Sequence, residues 1–410
     1  MRIIAQQYLK LFRNRDFLVL VAVTFIGQIA SGFLLLFLLV TSYGKTHSNF
    51  EVSGVIVSFA TPGFLLMAFA GLIADIADRR KIIIAANCAI VFVVLAILLS
   101  REFLLAALAL SFLYFAGNTF FLPSSSAASA QLVRKKDLDL ANSIFIFVLG
   151  AGIILGIFLG AVVHLLVSSF ATLLICEGLL VCAAGLSFKL PKMMPRKKSK
   201  LAFTAALLDI WRAFTYIFRQ KEVWFPFLIF ASAQGLIAIG VTLAPGFFDN
   251  VVGLTVDKSP IFIFPLVGLG VLFGSIYVHR PKKEASFFWS MGYGAIGIAA
   301  LLLGLVILSQ FLQGILLLLP SAVFLVFLGF GEIIALISSR AALQKRVSHS
   351  YQGTVFGANI ILSSFLAGIA APLAALLEDL FGYVKFLVFG GLIFLLFSLF
   401  FVTVGRKWKF

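Results

Sequence analysis

Charge is what this sequence lacks. Only 12% of its 410 residues are Asp, Glu, Lys or Arg, and acids are scarcest, at 16 against 32 basic residues. A water-soluble domain carries about a quarter charged residues, so a soluble globular chain is excluded. Histidine is nearly absent: His47, His164, His279 and His349 fall in four different loops or run ends, none in an H-x-x-x-x-D arrangement. That removes the surface cluster of acids and imidazoles that a membrane-bound acyl- or glycosyltransferase needs, and the chain does not read as an enzyme. The three cysteines, Cys88, Cys176 and Cys182, lie inside apolar runs without metal-ligand spacing. They read as free, buried small hydrophobes, and no metal or cofactor is expected. No cleavable signal segment is visible: the first 16 residues are mixed and basic, and the apolar run that follows is too long for a signal core.

What is present is apolar: 62% of the residues, with a mean hydropathy of +1.13. Runs of about 20 apolar residues recur, the length that crosses roughly 30 Å of hydrocarbon. Backbone in lipid must satisfy its own hydrogen bonds, so each run is expected to be a helix. A barrel is excluded because the runs do not alternate polar and apolar. The fold class is an all-α polytopic membrane protein with twelve transmembrane helices, among them 17–40, 53–75, 312–337, 354–377 and 383–404. With the N-terminus placed inside, all 32 Lys and Arg except Lys45, Arg101, Lys258 and Lys385 fall on the cytoplasmic side. That alternation fixes the orientation, with both termini cytoplasmic, in a cell membrane. It also assigns the net charge of +16 to inner loops rather than to nucleic-acid binding.

The longest polar segment divides the chain into a bundle of residues 1–190, a linker of residues 191–221 and a bundle of residues 222–410. The linker opens with the basic stretch Pro191 to Lys200. From Leu201 to Lys221 it reads as an amphipathic helix, with an apolar stripe of Leu207, Ile210, Trp211, Phe214, Ile217 and Phe218, and with Asp209, Arg212 and Arg219 off it. Such a helix is expected on the cytoplasmic membrane face, its basic residues beside anionic lipid. The two bundles echo each other. Ser125-Ser126-Ala127-Ala128 and Gln131 recur as Ser338-Ser339-Arg340-Ala341 and Gln344, and Ala141-Asn142 recurs as Ala358-Asn359.

One charged turn organises the first bundle. Gly71 to Lys81, GLIADIADRRK, joins two apolar runs through Asp75, Asp78, Arg79, Arg80 and Lys81. This stretch resembles the loop between spans two and three of major facilitator superfamily transporters, roughly G-x-x-x-D-R-x-G-R-R/K. Gly71, Asp75, Arg79 and Arg80 match, whereas Ile76 and Asp78 replace the usual Arg and Gly. Gly274 to Lys283 stands at the repeated position with Val278 in place of the acid. The resemblance implies two six-span halves with the substrate near the midplane between them. It also implies that Asp75 latches the outward-facing state against the start of span eleven, near Gly353. Arg79 and Arg80 are then expected to pair with acids such as Asp137 or Asp139.

A narrower resemblance, to the macrolide and siderophore exporter (drug:proton antiporter) branch, rests on Gln344 to Val347, Gly353 to Phe356, Pro123, Leu132-Val133 and Ala141-Asn142. Thr354 replaces an Arg usual there. In span five Gly152, Gly156 and Gly160 share one helix face. They resemble the antiporter pattern G-x-x-x-G-P-x-x-G-G, with Ile157 and Ala161 replacing its Pro and last Gly; small residues so spaced also let helices pack closely.

Ionisable groups in the bilayer are costly and usually functional. The candidate proton carriers are Glu332 in span ten and Glu177 in span six. Proton-coupled members of the family commonly carry an Arg in span four, and no Lys or Arg occurs here between Glu102 and Val133. The polar residues of spans one, four, seven and ten are the candidate cavity lining: Gln28, Ser31, Tyr114, Asn118, Thr119, Ser232 and Gln234, beside Phe115, Phe230, Phe324 and Phe327. Neutral hydrogen-bonding groups among aromatics suit an amphipathic organic molecule, whereas a dianion would need a buried Arg or Lys. The function expected is export of a small amphipathic molecule by alternating access and proton antiport. A lipid or lysolipid flippase, an uncoupled facilitator, and a transport-inactive sensor or scaffold are the alternatives. The expected partners are substrate, protons and membrane lipid, with no nucleic acid; a monomer is the default for this architecture.

Overall fold

The computed structural model describes residues 11, 13–134, 137–194, 203–278, 285–312 and 314–407. Among these the chain is helical throughout: α1 Arg15–Thr46, α2 Asn49–Ile76, α3 Arg79–Leu99, α4 Leu104–Leu132, α5 Leu138–Leu166, α6 Ser169–Ser187, α7 Phe203–Arg219, α8 Lys221–Phe247, α9 Ser259–Val278, α10 Ala285–Ser309, α11 Leu318–Arg346 and α12 His349–Lys407. Ten helical stretches among the described residues are long and apolar enough to cross a membrane. The protein is therefore a multi-pass helical membrane protein.

The separation expected between runs 354–377 and 383–404 is not a loop. Both lie in α12, whose 59 residues are interrupted only at Gly382, with φ 77° and ψ 161°. That conformation is essentially confined to glycine. Helices α1 and α2 also run past their expected ends, leaving only His47 and Ser48 between them. Thr46 Oγ1 accepts from the Ser48 amide, and Ser48 Oγ accepts from the Phe50 amide. These short polar side chains satisfy backbone donors where the helix begins.

The chain divides into two compact units. The first comprises Met1–Thr41 and Ser58–Arg212; the second comprises Ser42–Val57 and Ala213–Phe410. The division falls inside α7, and the tip of the α1–α2 hairpin belongs to the second unit. The basic residues 195–200, with Leu201 and Ala202, lie outside the described residues, as do residues 279–283 of the repeated loop.

In the first unit, Leu20 and Val23 of α1, Ile83 and Ala86 of α3, and Phe121 and Ala128 of α4 form a core with Leu190 and Met193 beyond α6. Helix α5 meets α1 backbone to backbone. A Cβ on Gly156 would overlap the Ile29 carbonyl, one on Gly152 would lie 2.7 Å from Gln28 Cβ, and one on Gly160 3.2 Å from Leu36 Cδ2. Such contact replaces the hydrophobic effect that lipid cannot supply between helices. In the second unit, Ala213 and Ile217 of α7 pack with Val223 and Phe227 of α8, Leu343 and Val347 at the end of α11, and Val355 and Ala358 of α12. This divides the expected stripe of α7. Ile217 turns inward, while Leu208, Trp211 and Phe218 are 52%, 71% and 56% exposed.

Candidate functional site

The polar residues of the first unit meet where α1 faces α4. Ser31 Oγ lies 2.8 Å from Tyr114 Oη and 3.0 Å from the Gly27 carbonyl oxygen. Ser31 has one hydrogen, so when it serves the carbonyl, Tyr114 donates to Ser31. Both residues are buried, as are Gln28 and Thr119. Thr119 Oγ1 donates to the Phe115 carbonyl and Asn118 Nδ2 to that of Tyr114, so each returns its hydrogen to its own helix. Nearby, the Cys176 thiol donates to the Ala30 carbonyl, 3.3 Å away. The neighbouring Glu177 has one carboxylate oxygen shut from solvent and without a hydrogen-bond partner.

In the second unit the polar groups follow one face of α11. Ser321, Leu325, Glu332, Ser339 and Leu343 recur at intervals of four and seven, which superimposes them along a 3.6-residue helix. All but Glu332 are buried. Glu332 is half-buried, and its Oε1 and the Ser321 Oγ are shut from solvent with no hydrogen-bond partner. Ser339 by contrast returns its hydrogen to the Ala335 carbonyl at 2.5 Å. The α11 stripe therefore holds acceptor capacity that no donor among the described residues meets. Of the α8 residues expected beside it, Ser232 is half-buried and Gln234 exposed.

The charged turn is tied down by a residue that the family pattern does not contain. Asp78 Oδ1 accepts from the Arg80 amide and from the Met193 amide, each at 3.1 Å. It thus caps α3 and holds the segment after α6 in one interaction. Arg79 Nε donates to the Ala74 carbonyl and Arg80 Nη2 to that of Phe188, at 3.2 and 2.8 Å. Those carbonyls stand where carboxylates were expected: Asp137 lies 3.9 Å from Arg134, and the side chain of Asp139 is outside the described residues. A helix C-terminus leaves carbonyls unpaired, and these accept from the two guanidinium groups. Asp75 is exposed and makes no hydrogen bond among the described residues, and a side chain at Gly71 would meet nothing within 4 Å.

The densest polar cluster was not expected. Asn49 Nδ2 donates to Glu378 Oε2 at 2.8 Å and to Tyr383 Oη. Tyr43 Oη donates to Asp249 Oδ2 at 3.3 Å, while Asn250 Nδ2 donates to Tyr43 Oη and to the Gly246 carbonyl, each at 3.0 Å. His47 Nδ1 lies 3.7 Å from the same Asp249 oxygen. All these residues belong to the second unit. Tyr43, Asn49 and Glu378 are 1%, 3% and 7% exposed, and among the described residues the carboxylate of Glu378 is held by the neutral Asn49 amide without a cation.

Arg340 also differs from expectation, which placed it in a loop after residue 337. Helix α11 continues to Arg346, and Arg340 is half-buried with its guanidinium 5.4 Å from the centre of the Phe356 ring. The helical repeat Ser338-Ser339-Arg340 offers the only sequence signal, through the Arg that stands where the first bundle has Ala127.

Residues 17–372 match the family described as Major Facilitator Superfamily. Among curated proteins no sequence matches. Similar solved structures include the nucleoside transporter NupG, at 13% identity and a TM-score of 0.76, covering 96% of this chain and 100% of that one. A POT family transporter in complex with 5-aminolevulinic acid is 14% identical, with a TM-score of 0.76 and 96% of each chain covered. A bacterial homolog of the human lysosomal transporter Spinster, inward-facing and unoccupied, is 14% identical with a TM-score of 0.74, covering 96% of this chain and 98% of that one.

Proposed function

This chain belongs to the major facilitator superfamily, and from that premise we propose that it is a twelve-span secondary transporter that exports a small amphipathic organic molecule in exchange for protons. The count takes α10 and each arm of α12 about Gly382 as one span and leaves α7 at the membrane surface. The cytoplasmic membrane, with both termini inside, follows from the distribution of Lys and Arg.

The observation that carries the reading is Glu332. Its carboxylate shares the α11 face of buried Ser321 and Ser339, with one oxygen unpartnered and no cation bonded to it among the described residues. An uncompensated charge there is costly, so the group favours binding a proton in one conformation and releasing it to water in another. Glu177 is the second candidate carrier, on the same ground. Substrate recognition is assigned to Gln28, Ser31, Tyr114, Asn118 and Thr119 of the first unit and to Ser232 and Gln234 of the second. These neutral groups orient an organic molecule without demanding a fixed charge. In this reading the close α1–α5 contact at Gly152, Gly156 and Gly160 keeps the first unit rigid as it moves, and Gly71, Asp75, Arg79 and Arg80 bias the conformational equilibrium.

One observation favours a second reading, a lipid flippase or uncoupled facilitator: α4 contains no Lys or Arg to alternate with a proton. The test distinguishes the two. Purified protein is reconstituted in sealed vesicles with an imposed proton gradient, and lumenal pH is followed as macrolides, siderophores and lysolipids are added. Proton movement triggered by one compound class and abolished in Glu332→Gln is the expected result. Compound movement without proton flux would replace antiport by the second reading.

A further inference from the structure

We propose that Arg340, backed by the ring of Phe356, receives the anionic head of an amphipathic substrate. This rests on the transporter reading above and narrows its substrate class.

Arg340 lies six residues inside the end of α11, about 9 Å at 1.5 Å per residue. The other buried or half-buried arginines among the described residues use their donors within the protein, whereas Arg13, Arg15 and Arg219, which do not, are exposed. Arg79 and Arg80 bond to carbonyls of Ala74 and Phe188, Arg101 pairs with Glu102, and Arg346 donates to the Glu222 carbonyl. Arg340 makes no hydrogen bond or ion pair among the described residues; its one contact of this kind is the Phe356 ring. A guanidinium has five N–H donors in a planar fork that matches a carboxylate or phosphate. An aromatic ring supports one face of that plane and leaves the donor edge available.

The bundle's own packing does not demand this cation. The matching position of the first repeat is Ala127, within the same Ser-Ser-x-Ala sequence. The surroundings select for an apolar tail rather than a free anion. Phe356 packs with Phe230 and Leu362 against the apolar cluster of Phe227, Leu343 and Val355. An amphiphile joins the two requirements, with an anionic head at Arg340 and hydrocarbon against the partly exposed Phe356, Phe230 and Leu362. Glu332 is about 12 Å away along the same helix, far enough not to neutralise Arg340 by contact.

The test uses the full chain in neutral maltoside detergent. Its unfolding midpoint is followed against sub-micellar dodecanoate, dodecyl phosphate, dodecanol and dodecyltrimethylammonium, and against inorganic phosphate alone. A ligand that binds the folded state raises the midpoint with concentration, which yields an apparent affinity. The two anionic amphiphiles are expected to stabilise the wild type saturably, and Arg340→Gln to weaken them about tenfold or more, as loss of a charged hydrogen bond implies. Arg340→Lys is expected to retain part of the effect, and Phe356→Leu to weaken it with the charge intact. Equal stabilisation by the neutral or cationic compound overturns the proposal, as does an unchanged affinity in a folded, monodisperse Arg340→Gln protein. A shift with inorganic phosphate equal to that with dodecyl phosphate overturns the amphiphile and leaves a free-anion site. Arg340-dependent binding without transport in vesicles would keep the anionic-head site but overturn the transporter reading and, with it, the ligand's role as substrate.

Discussion

The side-chain amide of Asn49 donates to Oε2 of Glu378 across 329 positions of sequence, at 2.8 Å. The acid is buried, and this donor is neutral. In Asn49→Leu the carboxylate keeps its burial and loses this donor, at an expected cost of about 1–3 kcal/mol. Glu378→Gln retains an acceptor and is expected to lose less. Unfolding midpoints of the two variants check the order; an Asn49→Leu protein as stable as wild type would remove the cluster's structural role.

Gly156 faces the Ile29 carbonyl so closely that a methyl group cannot fit without moving a helix. Gly156→Ala is expected to destabilise the protein by about 1–3 kcal/mol, the usual range for overpacking. Gly150 lies on the same helix, where an added Cβ would meet nothing within 4 Å. Gly150→Ala is expected to be neutral or to stabilise by up to about 1 kcal/mol, since alanine is the better helix former. Thermal unfolding of the pair separates close approach from helix propensity.

Asp78 and Asp75 are expected to fail in different ways. Asp78→Ala loses the α3 cap and the tie to Met193, at about 0.5–2 kcal/mol. Asp75 is exposed and unbonded, so Asp75→Asn is expected to leave stability within about 0.5 kcal/mol. Its predicted effect is on the conformational equilibrium, moving the resting state toward inward-facing. Cysteine labelling from each side of the membrane reads this directly; identical labelling in the variant and the wild type would eliminate the latch role of Asp75.

The helices and the charged turn were legible because lipid imposes length and apolarity on every span, and because Gly71, Asp75, Arg79 and Arg80 form a local pattern. Which residues meet was much less legible. In water a buried face is more apolar than an exposed one, but a lipid-facing face is as apolar as a buried one, so sequence periodicity does not reveal the inward side. Glu378 and Arg340 were consequently read as loop residues, when each lies on a helix that runs past the end of its apolar stretch. The ties made by Asp78 and Asn49 join segments 115 and 329 positions apart, and no local spacing encodes them. The α7 stripe was visible as apolar, but not its division between an inward Ile217 and an exposed Trp211.

The conformation of Gly382 has a practical consequence for anyone who labels this protein. One residue outside helical geometry joins the two arms of α12, so that end of the pair offers no slack segment. An inserted epitope or protease site there would have to unwind helix to be accommodated, and insertions are tolerated at exposed loop tips. The turn at residues 253–258 opens at Gly253 with φ 74°, and with Gly253, Thr255, Asp257 and Lys258 exposed it is the better place for a topology tag.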